Sequence, residues 1–120
     1  MNDLTIKFKI WLETEDKSGI LGDGKWKLLK TINETGSLKA AMKQHGLTYR
    51  KTWDNLNKIE EIFGFPIINR QRGGKEGGKT ELTPQGRAIV TAFDKFHAKY
   101  DPILSQALEE TLIEIKRQLP

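Results

Sequence analysis

The sequence predicts an α+β fold that is mainly helical, and three observations carry that expectation. Apolar and polar residues alternate near the N-terminus. Three stretches between Trp26 and Phe63 show helical three-to-four apolar spacing. Two short apolar segments then bracket a loop of glycine, lysine and arginine. With 120 residues there is room for one domain of ordinary size. Taken in order, Leu4, Ile6, Phe8 and Ile10 alternate with Thr5, Lys7 and Lys9, which predicts a half-buried strand over residues 4–13. Residues 15–24 contain Gly19, Gly22 and Gly24 and read as a loop. Trp26, Leu28, Leu29 and Ile32 then mark a helix from Asp23 or Gly24 to Glu34, with Gly36 as its stop.

Ser37 stands where an N-cap belongs, and Leu38, Ala41 and Met42 form the apolar stripe of a short second helix ended by Gly46. Thr48 is the next N-cap. The helix it opens runs to Phe63, with Thr52, Leu56, Ile59 and Phe63 on one face and Tyr49 and Trp53 flanking it. Gly64 and Pro66 end that helix. Ile67-Ile68-Asn69-Arg70 and Thr80-Glu81-Leu82-Thr83 then read as a β-hairpin around a long basic loop. Thr83-Pro84 is a helix start. Ile89, Phe93, Phe96 and Tyr100 recur at helical spacing, and Leu104, Leu108, Leu112, Ile115 and Leu119 continue the stripe. Asp101-Pro102 repeats the cap-then-proline signal, so the C-terminal third is one kinked helix or two consecutive helices.

The charge pattern narrows the function classes. Net charge is +4, and residues 39–87 hold ten basic against five acidic side chains. A basic middle suggests an anionic partner, nucleic acid being the commonest; a solvated surface with a modest cationic excess is the alternative. There is no cysteine, which excludes disulfides, thiolate zinc sites and cysteine nucleophiles and fits a cytoplasmic protein. No secretory signal or membrane-spanning run is visible. His45 and His97 show no metal-ligand spacing, and no serine sits in a nucleophile context, so neither enzyme activity nor a cofactor is expected.

Helix, short helix, helix, basic hairpin is the order of a winged helix-turn-helix, and Gln44-His45-Gly46-Leu47 supplies the glycine-bearing turn. In that architecture the third helix enters the major groove by its N-terminal end. Here that end is Thr48-Tyr49-Arg50-Lys51. Arg50 suits a bidentate contact to guanine, Lys51 a phosphate, and Thr48 a cap or a phosphate contact. Tyr49 either meets the DNA backbone or packs against the helix's apolar face. Ser37 and Lys39 would anchor the backbone from the second helix. Arg70, Arg72, Lys75 and Lys79 would hold flanking duplex through the wing. For Arg50 and Lys51 a solvated helix face, and for the wing a plain hairpin without a ligand, remain open.

Several segments together resemble the N-terminal DNA-binding domain of ModE-type molybdate-responsive regulators. They are Gly22-Asp23-Gly24-Lys25-Trp26-Lys27-Leu28-Leu29, Thr35-Gly36-Ser37-Leu38-Lys39-Ala40-Ala41, Leu47-Thr48-Tyr49-Arg50-Lys51-Thr52-Trp53-Asp54, Asn69-Arg70 with the glycine-rich loop, and Leu82-Thr83-Pro84-Gln85-Gly86-Arg87. A wider similarity to LysR-type winged helices covers the same stretch, including Gly64-Phe65-Pro66-Ile67. The resemblance implies a homodimer on a palindromic operator. Ile89, Phe93, Phe96, Tyr100, Leu104, Leu108, Leu112 and Ile115 would form the dimerisation surface, although the stripe can also pack back on its own domain. Members of that family carry molybdate-binding domains after the DNA-binding unit. This chain ends at Pro120, so no molybdate site is carried over, and the expectation is that the sensor is a separate protein, that the chain responds to something else, or that it is unregulated. The expected organisation is a single winged-helix domain: 1–23 N-terminal strand and loop, 24–83 winged-helix core, and 84–120 a C-terminal helical dimerisation segment. A winged helix that binds a protein partner is the competing reading.

Overall fold

The computed structural model describes residues 4–69 and 79–120. Its elements follow the order β1 (Trp11–Glu13), β2 (Gly19–Gly22), α1 (Asp23–Thr35), α2 (Leu38–His45), α3 (Tyr49–Phe63), β3 (Ile68–Asn69), β4 (Glu81–Leu82) and α4 (Pro84–Arg117). The fold is α+β and mainly helical, as expected, and among the described residues it holds two small antiparallel strand pairs, β1–β2 and β3–β4.

The N-terminal expectation needs correction. Residues 4–10 are not in a ladder, although their alternation survives as burial: Ile6, Phe8 and Ile10 are half-buried while Thr5, Lys7 and Lys9 are exposed. The ladder begins one residue later. β1 pairs with β2, within the stretch whose glycines predict a loop, with Trp11 opposite Gly22 and Leu12 opposite Leu21 and a bulge before Glu13. The turn between them is closed by Thr14 N donating to Ser18 O at 3.0 Å. Ile20 and Leu21, on β2, are core residues.

The three central helices form as their caps dictate. Gly36, Gly46 and Gly64 each sit in the left-handed region just past a helix, where a side chain would be strained. Buried faces of α1 (Leu28, Leu29, Ile32), α2 (Ala41) and α3 (Leu56, Ile59) meet Ile67, Ile68 and Leu82 of the second hairpin region. The core continues into Ile20 and Leu21 on one side and into Val90 and Phe93 of α4 on the other. It thus runs across both internal boundaries drawn from sequence, after residue 23 and after residue 83.

α4 is one helix of 34 residues with Pro102 inside it, so the two-helix alternative is not realised. Asp101 does not cap a new helix; its carboxylate is engaged by His97 instead. The start of α4 is locked to the second hairpin. Thr83 Oγ1 accepts from Gly86 N at 3.0 Å and donates to Pro66 O at 2.8 Å. At Gly86 an added Cβ would lie 2.3 Å from Ile67 O, so only glycine allows this helix to approach the strand backbone so closely.

Candidate nucleic-acid interface

The site is built on the N-terminal end of α3. Thr48, extended at φ −78° and ψ 158°, accepts from Lys51 N at 3.1 Å and so holds one of the free amides of the first turn. The inner face is fixed by Thr52, Leu56 and Ile59, all fully buried. Thr52 Oγ1 donates to Thr48 O at 2.8 Å, which satisfies its hydroxyl inside the core. Because one face is locked inward, the opposite face of this turn must point outward. Tyr49 is 66% exposed and the Arg50 side chain 93% exposed, and Lys51 is exposed as well. Of the two readings of Tyr49, packing against the helix's apolar face is met only at its edge: the ring leans edge-on against Trp53, which itself packs against the core, with centroids 6.2 Å apart.

Sequence reasoning missed one member of this face. Asp54, one turn along, lies with Oδ2 4.0 Å from Arg50 Nε. The i,i+4 spacing of opposite charges was the available signal. So exposed a pair contributes little to stability, but it biases where the guanidinium rests.

The second predicted anchor is the start of α2. Ser37 Oγ accepts from Ala40 N at 3.0 Å, so the hydroxyl acts as the cap the sequence predicted, and Lys39 is exposed beside it. The α2–α3 turn closes through Leu47 N donating to Met42 O at 2.9 Å, with Gly46 at φ 64°. His45 Nε2 pairs with Thr31 Oγ1 at 2.9 Å and ties the end of α2 to α1.

The base of the hairpin joins these parts. Glu60, on α3, accepts from Ile67 N at 2.8 Å and Ile68 N at 3.3 Å, which places the incoming strand; sequence reasoning did not single it out. On the returning strand, Thr80 N donates to Gly36 O at 2.9 Å. Lys79 lies over Gly36, where an added Cβ would meet its Cε at 3.1 Å, and its Nζ is 3.6 Å from Glu81 Oε1. Lys79 is thus brought beside the turn that leads into Ser37. Arg70, Arg72 and Lys75 lie outside the described residues.

The apolar stripe of α4 divides. Phe93 is buried in the domain's own core, and Ile89 packs partly against it. Phe96, Leu104, Leu108 and Leu112 are half-buried, while Tyr100 and Ile115 are 38% and 44% exposed. Leu4, Thr5 and Ile6 share a hollow of about 280 Å³ with Ser105, Leu108, Glu109 and Leu112, so the N-terminal segment covers part of the outer half of the helix. Among the described residues no helix is long and apolar enough to cross a membrane, and no group of three or more His, Asp or Glu side chains is arranged to hold a metal ion.

Comparison with known proteins agrees with this geometry. The family described as bacterial regulatory helix-turn-helix protein, lysR family, matches residues 24–87. The molybdenum transport protein ModE of Azotobacter vinelandii is 33% identical over 100 residues, which cover 83% of this chain and 37% of that protein. The molybdenum-pterin-binding protein MopB of Rhodobacter capsulatus is 35% identical over 78 residues, 65% of this chain and 29% of the relative. The DNA-binding transcriptional dual regulator ModE of Escherichia coli (strain K12) is 33% identical over 67 residues, 56% of this chain and 26% of the relative. The chain spans no more than 37% of the length of these relatives. Its matched stretch runs from the start of α1 through the second hairpin into the first turn of α4, and by that match the chain belongs to the lysR family of bacterial regulatory helix-turn-helix proteins and carries a ModE-like DNA-binding domain.

Proposed function

We propose that the protein is a transcription regulator that binds double-stranded DNA sequence-specifically as a homodimer. One observation carries the reading: the first turn of α3 presents Tyr49, Arg50 and Lys51 to solvent while Thr52, Leu56 and Ile59 lock the opposite face into the core. A rigid, exposed, basic helix end is what a major groove accepts. Arg50 reads a base, and Thr48 and Lys51 meet base edges or phosphate. Ser37, Lys39 and Lys79, gathered at the α1–α2 turn, anchor the backbone, and Arg70, Arg72 and Lys75 extend that contact along the duplex. The relatives named as regulators support the assignment. The outer half of α4, from Tyr100 to Ile115, is the dimer surface; residues 24–83 with the first turns of α4 form the DNA-binding unit.

The test is selection of bound duplexes from a random pool at near-physiological salt. Enrichment of an inverted repeat is the expected outcome, its half-site spacing giving the distance between the two α3 helices. Binding without enrichment would leave a general DNA-binding role. Absence of binding, together with a partner retained by the same surface, would favour a protein-interaction module instead.

A further inference from the structure

His97 is gripped from both sides where α4, α1 and the N-terminal segment meet. Its Nε2 lies 2.8 Å from Oδ1 of Asp23, the first residue of α1, and its Nδ1 lies 2.8 Å from Oδ1 of Asp101, one turn along α4. Its ring stacks on Trp26, with centroids 4.5 Å apart and planes 12° apart, and meets Phe96 edge-on at 5.4 Å and Phe8 at 6.3 Å. The side chains of His97 and Asp23 are only 12% and 16% exposed. The other oxygen of Asp23 accepts from Ile10 N at 3.4 Å, so the N-terminal segment hangs on the same carboxylate.

Ionised carboxylates only accept, so both ring nitrogens must donate, and only the imidazolium carries two N–H groups. In the neutral ring one bond is lost and a lone pair faces a carboxylate. The two aspartates approach opposite edges of the ring, so the cluster is not a cage for a metal ion.

We propose that His97 is a proton-operated latch: protonated, it clamps α4 to the start of α1 and to the N-terminal segment; deprotonated, it gives up one aspartate and loosens that seat. Burial opposes the charged ring, but hydrogen bonds to Asp101 and Asp23 and the attraction of both carboxylates outweigh it and raise the pKa of His97 above its ordinary value. The remaining charges nearby are accounted for on each element. On α4, Asp94 is engaged by Trp26 Nε1 at 2.9 Å and by Lys30 Nζ at 3.2 Å, and Lys99 is exposed. On α1, Lys30 Nζ lies 5.2 Å from the Trp26 ring centre. On the N-terminal segment, Lys7 and Lys9 flank Phe8 and are exposed. Since the folded-state pKa is the higher one, the latch's contribution is complete below the unfolded value of about 6.5 and is lost as pH rises through the folded pKa.

Nitrogen-15 NMR of the His97 ring in the full chain tests this, from about pH 5 to about pH 9. The expected result is a doubly protonated ring at about pH 6 and a titration midpoint above about 6.5. The thermal unfolding midpoint should fall across the same window, and the amides of residues 5–10 should exchange faster above it. H97Q should flatten that pH dependence. Because H97Q alters a nearly buried group, D101N is the second variant: Asp101 is 48% exposed, and its neutralisation should lower the His97 midpoint while the Asp23 bond persists. A single-tautomer neutral ring at about pH 6, or a midpoint at or below about 6.5, would overturn the latch. So would an H97Q unfolding profile that falls with pH as the wild type does. None of these readouts involves DNA, so the latch stands or falls apart from the proposed function.

Discussion

Arg50 is the residue to which the proposed base readout is assigned. Its side chain is 93% exposed and its ion pair to Asp54 spans 4.0 Å, so that pair holds it back little from a guanine edge. A bidentate arginine–guanine contact gives about 1–3 kcal/mol of discrimination, so Arg50→Ala should cut the ratio of operator to random-duplex affinity by roughly ten- to a hundredfold. Competition binding against both duplexes measures this, and equal losses on the two would remove Arg50 from base readout. Asp54→Ala should act in the other direction on random DNA, raising its affinity because an acidic group leaves the interface. Thr48→Ala should cost about 1 kcal/mol of stability through loss of the α3 cap, read from urea unfolding.

At the scale of elements, the joints matter more than the pieces. Thr83 bonds Pro66 and Gly86 at once and is 5% exposed. Thr83→Ala should destabilise the fold by about 1–3 kcal/mol, more than an exposed cap, since it strips the buried Gly86 N–H of this acceptor and also removes the bond to Pro66 O. Denaturant midpoints compared at equal slope would measure it. Lys79→Ala, at the base of the hairpin, should weaken operator and random duplexes alike and reduce the slope of binding against salt by about 1. What the sequence made legible follows the same division. Ser37, Thr48 and Thr83 were readable as caps because a cap is a local bond, closed within three residues. Strand pairing is not local. The alternation at residues 4–10 shows which side chains turn inward, but not that the ladder partner of Trp11 and Leu12 is Gly19–Gly22, too short a run to show a period of its own. The outward exposure of Arg50 and Lys51 was legible from helix phase. The contribution of Glu60 was not, because it depends on where Ile67 returns after the turn.

Across the whole molecule, α4 links the DNA-binding unit to the proposed dimer surface. Its first turns are core, with Gly86, Val90 and Phe93 buried, and its last turns carry exposed Ile113 and Ile115. Ile115→Glu should leave the fold intact, since the residue is 44% exposed, while shifting sedimentation from dimer to monomer. Affinity for an inverted repeat should then drop far more than affinity for a half-site. Unchanged sedimentation would move the dimer contact elsewhere.

The single 34-residue run of α4 also makes the two ends of the molecule rotationally coupled, like marks on one shaft. Each residue turns the helix by about 100°, so one residue inserted after Ser105 would swing Leu108, Leu112 and Ile115 round by that angle relative to α3. Seven inserted residues would bring them back to within about 20° while lengthening the shaft. Pairing of two copies should therefore fail with one added residue and return with seven, and the operator spacing selected by the longer protein should differ from that of the original. On the proposed dimer, position along this helix is thus an angular coordinate as much as a linear one.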